Sequence, residues 1–146
     1  MEKKKLRVVL ADDDPDDREL FGAALAEVDA STELVAVEDG ESLFKKLETT
    51  APPDIIFLDL NMPRKNGREC LAELHANNAY DNVAVIIYST SMSPQEIADA
   101  WTLGAACLIR KPDSYTALKD VIRKVLKVDL SDMTALKRSR LTFNLS

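Results

Sequence analysis

The stretch Asp54-Ile55-Ile56-Phe57-Leu58-Asp59, followed at once by Leu60-Asn61-Met62-Pro63, decides how this chain folds. Its consecutive apolar residues leave no polar face, as a strand covered on both sides requires, and such strands belong to parallel sheets with helices over both faces. Working outward, β-type runs recur at Leu6 to Ala11 (LRVVLA), Glu33 to Val37 (ELVAV), Val83 to Ser89 (VAVIIYS) and Ala106 to Ile109 (ACLI), and most are almost continuously apolar. Between the runs the apolar residues change to helical spacing. Leu20, Phe21, Ala24, Leu25 and Val28 form one stripe, and Leu43, Phe44 and Leu47 a second. Leu71, Leu74, Ile97, Ala98, Trp101, Leu118, Val121, Ile122, Val125 and Leu126 continue the pattern.

Punctuation agrees with these boundaries. Asp14 can cap a helix whose first position is Pro15, Ser93 can do the same before Pro94, and Gly40, Gly67 and Gly104 fall where turns are needed. Five βα units joined by right-handed crossovers predict an α/β fold: a doubly wound, five-stranded parallel sheet in a flavodoxin-like three-layer sandwich. Ligands then bind beyond the carboxyl ends of the strands. Residues 1–127 make one domain. Residues 128–146 read as a C-terminal extension without a separate output domain, in which Leu141, Phe143 and Leu145 alternate with polar residues like a short strand.

Composition narrows the function. A chain of 146 residues can bury roughly two thirds of its unfolded surface. The formal charge of −6 and the lack of a basic aromatic patch argue against nucleic-acid binding. No apolar run approaches the roughly 20 residues that span a bilayer, and the start MEKKKLRVVLADDD lacks the cleavage pattern of a signal peptide, so a cytoplasmic protein is expected. Cys70 and Cys107 lie in apolar segments without metal-binding spacing, as reduced structural thiols do. His75, the single histidine, falls on a polar helix side, and Trp101 on an apolar stripe; both are read as ordinary surface and packing residues.

Chemistry concentrates at the strand ends. The first strand runs into Asp12-Asp13-Asp14 and the third ends at Asp59, so several carboxylates converge on one edge of the sheet. Such a cluster raises its own pKa values unless a hard divalent cation compensates it, and Mg²⁺ suits a site with few carboxylates and an incoming phosphate. Ser89, Thr90 and Ser91 end the fourth strand, and Lys111-Pro112 follows the fifth. A carboxylate nucleophile, a metal, a hydroxyl and an ammonium make a set suited to phosphoryl transfer.

On these residues, LADDDPDD, FLDLNMPRKNG, IIYSTS and Lys111-Pro112 in that order, the chain resembles the receiver domains of response regulators (the CheY-like superfamily) from about Leu6 to Lys127. The wording is most like the stand-alone receivers of cyanobacterial phytochrome response regulators. The resemblance implies that Asp59 is the phosphoacceptor, and that Asp12, Asp13, Asp59 and the Asn61 backbone carbonyl hold Mg²⁺. It implies that Ser89 and Lys111 bind the phosphoryl group and that Asn61 and Ser91 tune its hydrolysis. It leads one to expect a cis Lys111–Pro112 peptide. The phosphoryl group would come from a histidine kinase or phosphotransfer protein, and the chain would act as a signalling protein, not as an enzyme on other substrates. Its output would pass to a downstream protein. A surface of the fourth helix, fifth strand and fifth helix, with the tail from Val128, is the candidate for regulated pairing, including a homodimer.

Two departures from the family pattern matter. Leu108 stands where many receivers carry a switching aromatic, and Thr90 is larger than the alanine or glycine often found after the hydroxyl residue. Rival readings on the same architecture fare worse. A flavin carrier should have a Ser/Thr/Gly-rich loop after the first strand instead of Asp-Asp-Asp-Pro, and an aspartate-nucleophile phosphatase should have a second acid at Asn61. A pure docking module would not need converging charges that cost stability.

Overall fold

Side-chain caps start the helices where the sequence places them. The Asp14 carboxylate accepts the backbone N–H groups of Asp16 and Asp17, with Pro15 in the first turn. Asn66 with Glu69, and Ser93 with Glu96, form reciprocal capping boxes that satisfy otherwise orphaned N–H groups. The computed structural model describes residues 5–127. The elements alternate: β1 (Arg7–Ala11), α1 (Pro15–Val28), β2 (Glu33–Val37), α2 (Gly40–Thr49), β3 (Ile55–Leu58), α3 (Gly67–His75), β4 (Ala84–Ser89), α4 (Pro94–Thr102), β5 (Cys107–Arg110) and α5 (Tyr115–Lys127). A short 3₁₀ turn, Asn78–Tyr80, precedes β4. The predicted strand at Leu141 to Leu145 lies outside the described residues.

All strand pairs are parallel, in the order β2-β1-β3-β4-β5. Alternate strand residues feed two cores. Val8, Leu10, Ile55, Phe57, Ile86 and Ile109 pack against α1 and α5, while Val9, Ala11, Ile56, Leu58, Ile87 and Leu108 pack against α2, α3 and α4. Phe21, Phe57 and Tyr88 meet edge to face, with centroids 4.9, 5.6 and 6.1 Å apart. Each such pair adds about 0.5–1.5 kcal/mol beyond its area burial. The trio ties α1 to β3 and β4 just below the ends that carry Asp59 and Ser89.

Several sequence expectations need correction. Leu20 is exposed because it sits one residue off the 21, 24, 25, 28 stripe, and Ala98 is exposed while Ala100 takes the buried position three after Ile97. At one edge of the sheet β2 is half-buried along most of its length, whereas the other four strands are mostly buried. Gly104 does occupy a turn, with φ 91°. Gly40 and Gly67, however, are the first residues of α2 and α3 and serve close backbone approach. No cis peptide occurs among the described residues, so Lys111–Pro112 is trans, the isomer favoured by about 0.5–1 kcal/mol even before proline.

Candidate functional site

Strand register brings the chemistry together. Ala11 pairs with Leu58, and the Asp59 N–H donates to the Ala11 carbonyl at 3.0 Å, so Asp12 and Asp59 emerge side by side just past the pleat. The Lys111 N–H donates to the Ser89 carbonyl at 2.9 Å, which places β4 and β5 at the same edge.

Asp59 is 4% exposed, and its two oxygens have separate partners. Oδ1 accepts the Ser89 hydroxyl at 3.1 Å and the Asn61 N–H at 3.1 Å. Oδ2 takes the Lys111 ammonium at 2.9 Å. Ser89 is fully buried, so its hydroxyl is held in place by packing.

Lys111 Nζ also lies 2.8 Å from Asp12 Oδ2 and 2.9 Å from Asp17 Oδ2. Burial alone would push the Lys111 pKa down, but hydrogen bonds to Asp12, Asp17 and Asp59 outweigh it and hold the ammonium charged well above the ordinary lysine range. The Tyr88 ring centroid stands 5.6 Å from Nζ.

Asp12 is completely buried. Its Oδ1 accepts the Asp14 N–H at 3.0 Å, and its carbonyl accepts Arg18 Nη1 at 2.8 Å. Oδ2 is paired with the Lys111 ammonium at 2.8 Å. Burial pushes the Asp12 carboxyl up to about 6, against the pull of Lys111. Asp13 is exposed at the rim, and carboxylate oxygens of Asp12, Asp13 and Asp59 lie within 4.8 Å of one another. A carboxylate trio with two buried members and one at the rim fits a divalent cation with oxygen ligands.

The remaining predicted residues frame this centre. Thr90, Asn61 and Ser91 are exposed, each within two residues of Asp59 or Ser89, and Pro112 follows the lysine. Leu108 is 2% exposed and packs on the α2–α4 side of the sheet. A cavity of about 520 Å³ opens beside the cluster, between α3 and α4, lined among others by Asp13, Asn61, Met62, Arg68 and Asp99. Sequence reasoning missed Asp17, whose place three residues after the cap Asp14 made it look like an ordinary acidic first-turn residue. It also missed Arg18 and the pair Asp39–Arg64 (2.9 Å) beside the loop after β3.

Comparison with known proteins gives a consistent picture. The profile of the response regulator receiver domain matches residues 8–123. Response regulator Rcp1 of Synechocystis sp. is 28% identical over 128 residues, covering 84% of this chain and 85% of its own. Chemotaxis protein CheY1 of Helicobacter pylori is 26% identical over 121 residues, covering 83% and 97%. Among solved structures, the phosphorylated cyanobacterial phytochrome response regulator RcpA superposes with TM-score 0.80 at 30% identity, covering 88% of this chain and 96% of its own. The Mn²⁺-bound form of Rcp1 superposes with TM-score 0.74 at 25% identity, covering 82% and 91%. The expected likeness to phytochrome response regulators is borne out.

Proposed function

The chain belongs to the response regulator receiver domain family, and from that membership we propose that it accepts a phosphoryl group on Asp59 from the phosphohistidine of a histidine kinase or phosphotransfer protein. One observation carries the assignment. Asp59 is the carboxylate that meets the buried Ser89 hydroxyl, the Lys111 ammonium and the acidic trio at once.

In this reading an Asp59 oxygen attacks phosphorus, an O–P bond forms, and the P–N bond breaks with its electron pair leaving on the imidazole. Ser89 and Lys111 then exchange carboxylate oxygens for phosphoryl oxygens, which needs little rearrangement because both groups already stand at Asp59. Asp12, Asp13, Asp59 and the Asn61 carbonyl would hold Mg²⁺, which supplies charge neutralisation where carboxylates and phosphoryl oxygens crowd. Resetting is attack by water on phosphorus with Asp59 as leaving group. Asn61 and Ser91, both exposed, tune that hydrolysis, and Thr90 slows access to Asp59.

The chain catalyses only its own phosphorylation and dephosphorylation, in the cytoplasm, and signals by protein–protein contact. Residues 1–127 are the receiver, and regulated pairing, including a homodimer, uses α4, β5 and α5. The tail's share in that pairing lies outside the described residues. Among those residues no helix is long and apolar enough to cross a membrane. Labelling with acetyl phosphate tests the reading. It should proceed with Mg²⁺, stop in excess EDTA, and slow strongly in Lys111→Ala; labelling indifferent to both changes would contradict it.

A further inference from the structure

The loop from Asp59 to α3 contains a strained turn. Arg64 has φ 66°, the one positive value at a non-glycine among the described residues, and the Lys65 N–H donates to the Pro63 carbonyl at 2.7 Å across it. That pattern is a γ-turn of the positive-φ form, a rare and strained conformation for a residue with a Cβ. Residues held this way persist only where the surroundings enforce them.

The enforcing group is on view. Arg64 Nε donates to Asp39 Oδ2 at 2.9 Å, and Asp39 is 2% exposed although Arg64 is largely in solvent. Asp39 is fixed in turn as the cap of α2, accepting the Ser42 N–H at 2.7 Å. The Ser42 N–H and the Arg64 guanidinium hold its carboxyl down at about 2, so it stays ionised. The loop is also pressed close on both sides. A Cβ on Gly40 would collide with the Lys65 carbonyl, and one on Gly67 would stand 2.6 Å from Leu60 Cα.

Both ends of this clamp lead to the acidic centre. Asp39 lies two residues beyond Val37, whose carbonyl accepts the Asp12 N–H at 3.1 Å. Arg64 lies three residues beyond Asn61, whose N–H donates to Asp59 Oδ1. We propose that the Asp39–Arg64 ion pair is a positioning device: it holds the turn after β3 in its strained form and so keeps the Asn61 carbonyl at the cation site. The inference rests on the reading of Asn61 as a carbonyl ligand given above.

Mg²⁺ titration of the full chain, followed by calorimetry and by the Asn61 amide resonance, tests it without phosphorylation. Removing a positive charge near a cation site should by itself tighten Mg²⁺ binding, so a loss of affinity reports geometry. Arg64→Ala keeps the strained position without its tether and should weaken Mg²⁺ binding by about fivefold, or roughly 1 kcal/mol. Arg64→Gly adopts positive φ freely and should stay near wild type. Asp39→Asn keeps a capping oxygen, leaves the guanidinium unpaired and should behave like Arg64→Ala. Unchanged or tighter binding in Arg64→Ala, or equal losses in the alanine and glycine variants, would overturn the clamp. Wild-type chain that takes up no Mg²⁺, or Asp13→Asn that binds it normally, would instead contradict the reading of the site, and the clamp with it.

Discussion

Lys111 Nζ lies 2.9 Å from Asp17 Oδ2, a carboxylate from the first turn of α1, while it also bridges Asp12 and Asp59. One ammonium therefore serves three carboxylates, and whatever Asp17 takes is withheld from Asp59 and from a phosphoryl group attached there. Asp17→Asn should free that share. Because the Asp17 side chain is 34% exposed, the stability lost should be under about 1 kcal/mol. Affinity for beryllofluoride, a phosphoryl mimic, should rise about threefold, equivalent to under 1 kcal/mol. A fluorescence titration reads the change, and a fall in affinity would show that Asp17 orients Lys111 instead of competing for it.

Asp12 gives a pH dependence whose sign follows from burial. Its carboxyl is pushed up to about 6 from 3.8, so the folded chain binds this proton more tightly than the unfolded chain does. The associated stability is present below about pH 4 and lost as pH rises through 6, a cost of roughly 3 kcal/mol at neutral pH. In EDTA, Asp12→Asn should therefore raise the neutral-pH melting temperature and flatten its fall between pH 4 and 6. Added Mg²⁺ should stabilise the wild type and not the variant. Thermal denaturation from pH 4 to neutral pH, with and without Mg²⁺, checks both statements.

Gly67 touches the chemistry through the backbone. Its N–H donates to the Leu60 carbonyl at 3.0 Å, and a Cβ there would run into the Asp59 carbonyl. Gly67→Ala should destabilise the fold by about 1–3 kcal/mol, as overpacking does. It should also cut the labelling rate under conditions where the variant stays folded, because Asp59 must shift to admit the methyl group. Urea denaturation and labelling at low urea separate the two effects.

The strand-end residues were legible in the sequence because parallel register forces them together. Strands ending at Ala11, Leu58, Ser89 and Arg110 leave Asp12, Asp59, Ser89 and Lys111 at one edge, whatever the details of the helices. Asp17 was not legible. Its contact with Lys111 spans 94 residues and depends on how the first turn of α1 is rotated, which an acidic run after a cap does not specify. The Asp39–Arg64 pair was hidden for a related reason: only the turn between Pro63 and Lys65 aims one at the other. Leu20 and Ala98 show the limit of stripes, since a position one residue off the face can be apolar without being buried.

Leu108 is already buried among the residues facing α4, with no hydroxyl to exchange partners. When Ser89 moves toward a phosphoryl group, a leucine can follow with little change of shape. Backbone amide shifts on adding beryllofluoride should therefore be larger from Ser89 to Pro94 than around Leu108 and α5. Large shifts centred on Leu108, with that loop unmoved, would contradict this route.

Intact-mass measurement after incubation with acetyl phosphate and Mg²⁺ is the most direct test of the central claim, that Asp59 is the single phosphoacceptor. Wild type should gain the mass of one phosphoryl group, labile to hydroxylamine as an acyl phosphate is. Asp59→Asn, which keeps the size of the side chain and its contacts with Ser89 and Asn61 but not its nucleophilic carboxylate, should gain none. Equal labelling of the two proteins, or labelling of the variant at Asp12, Asp13 or Asp17, would contradict the account.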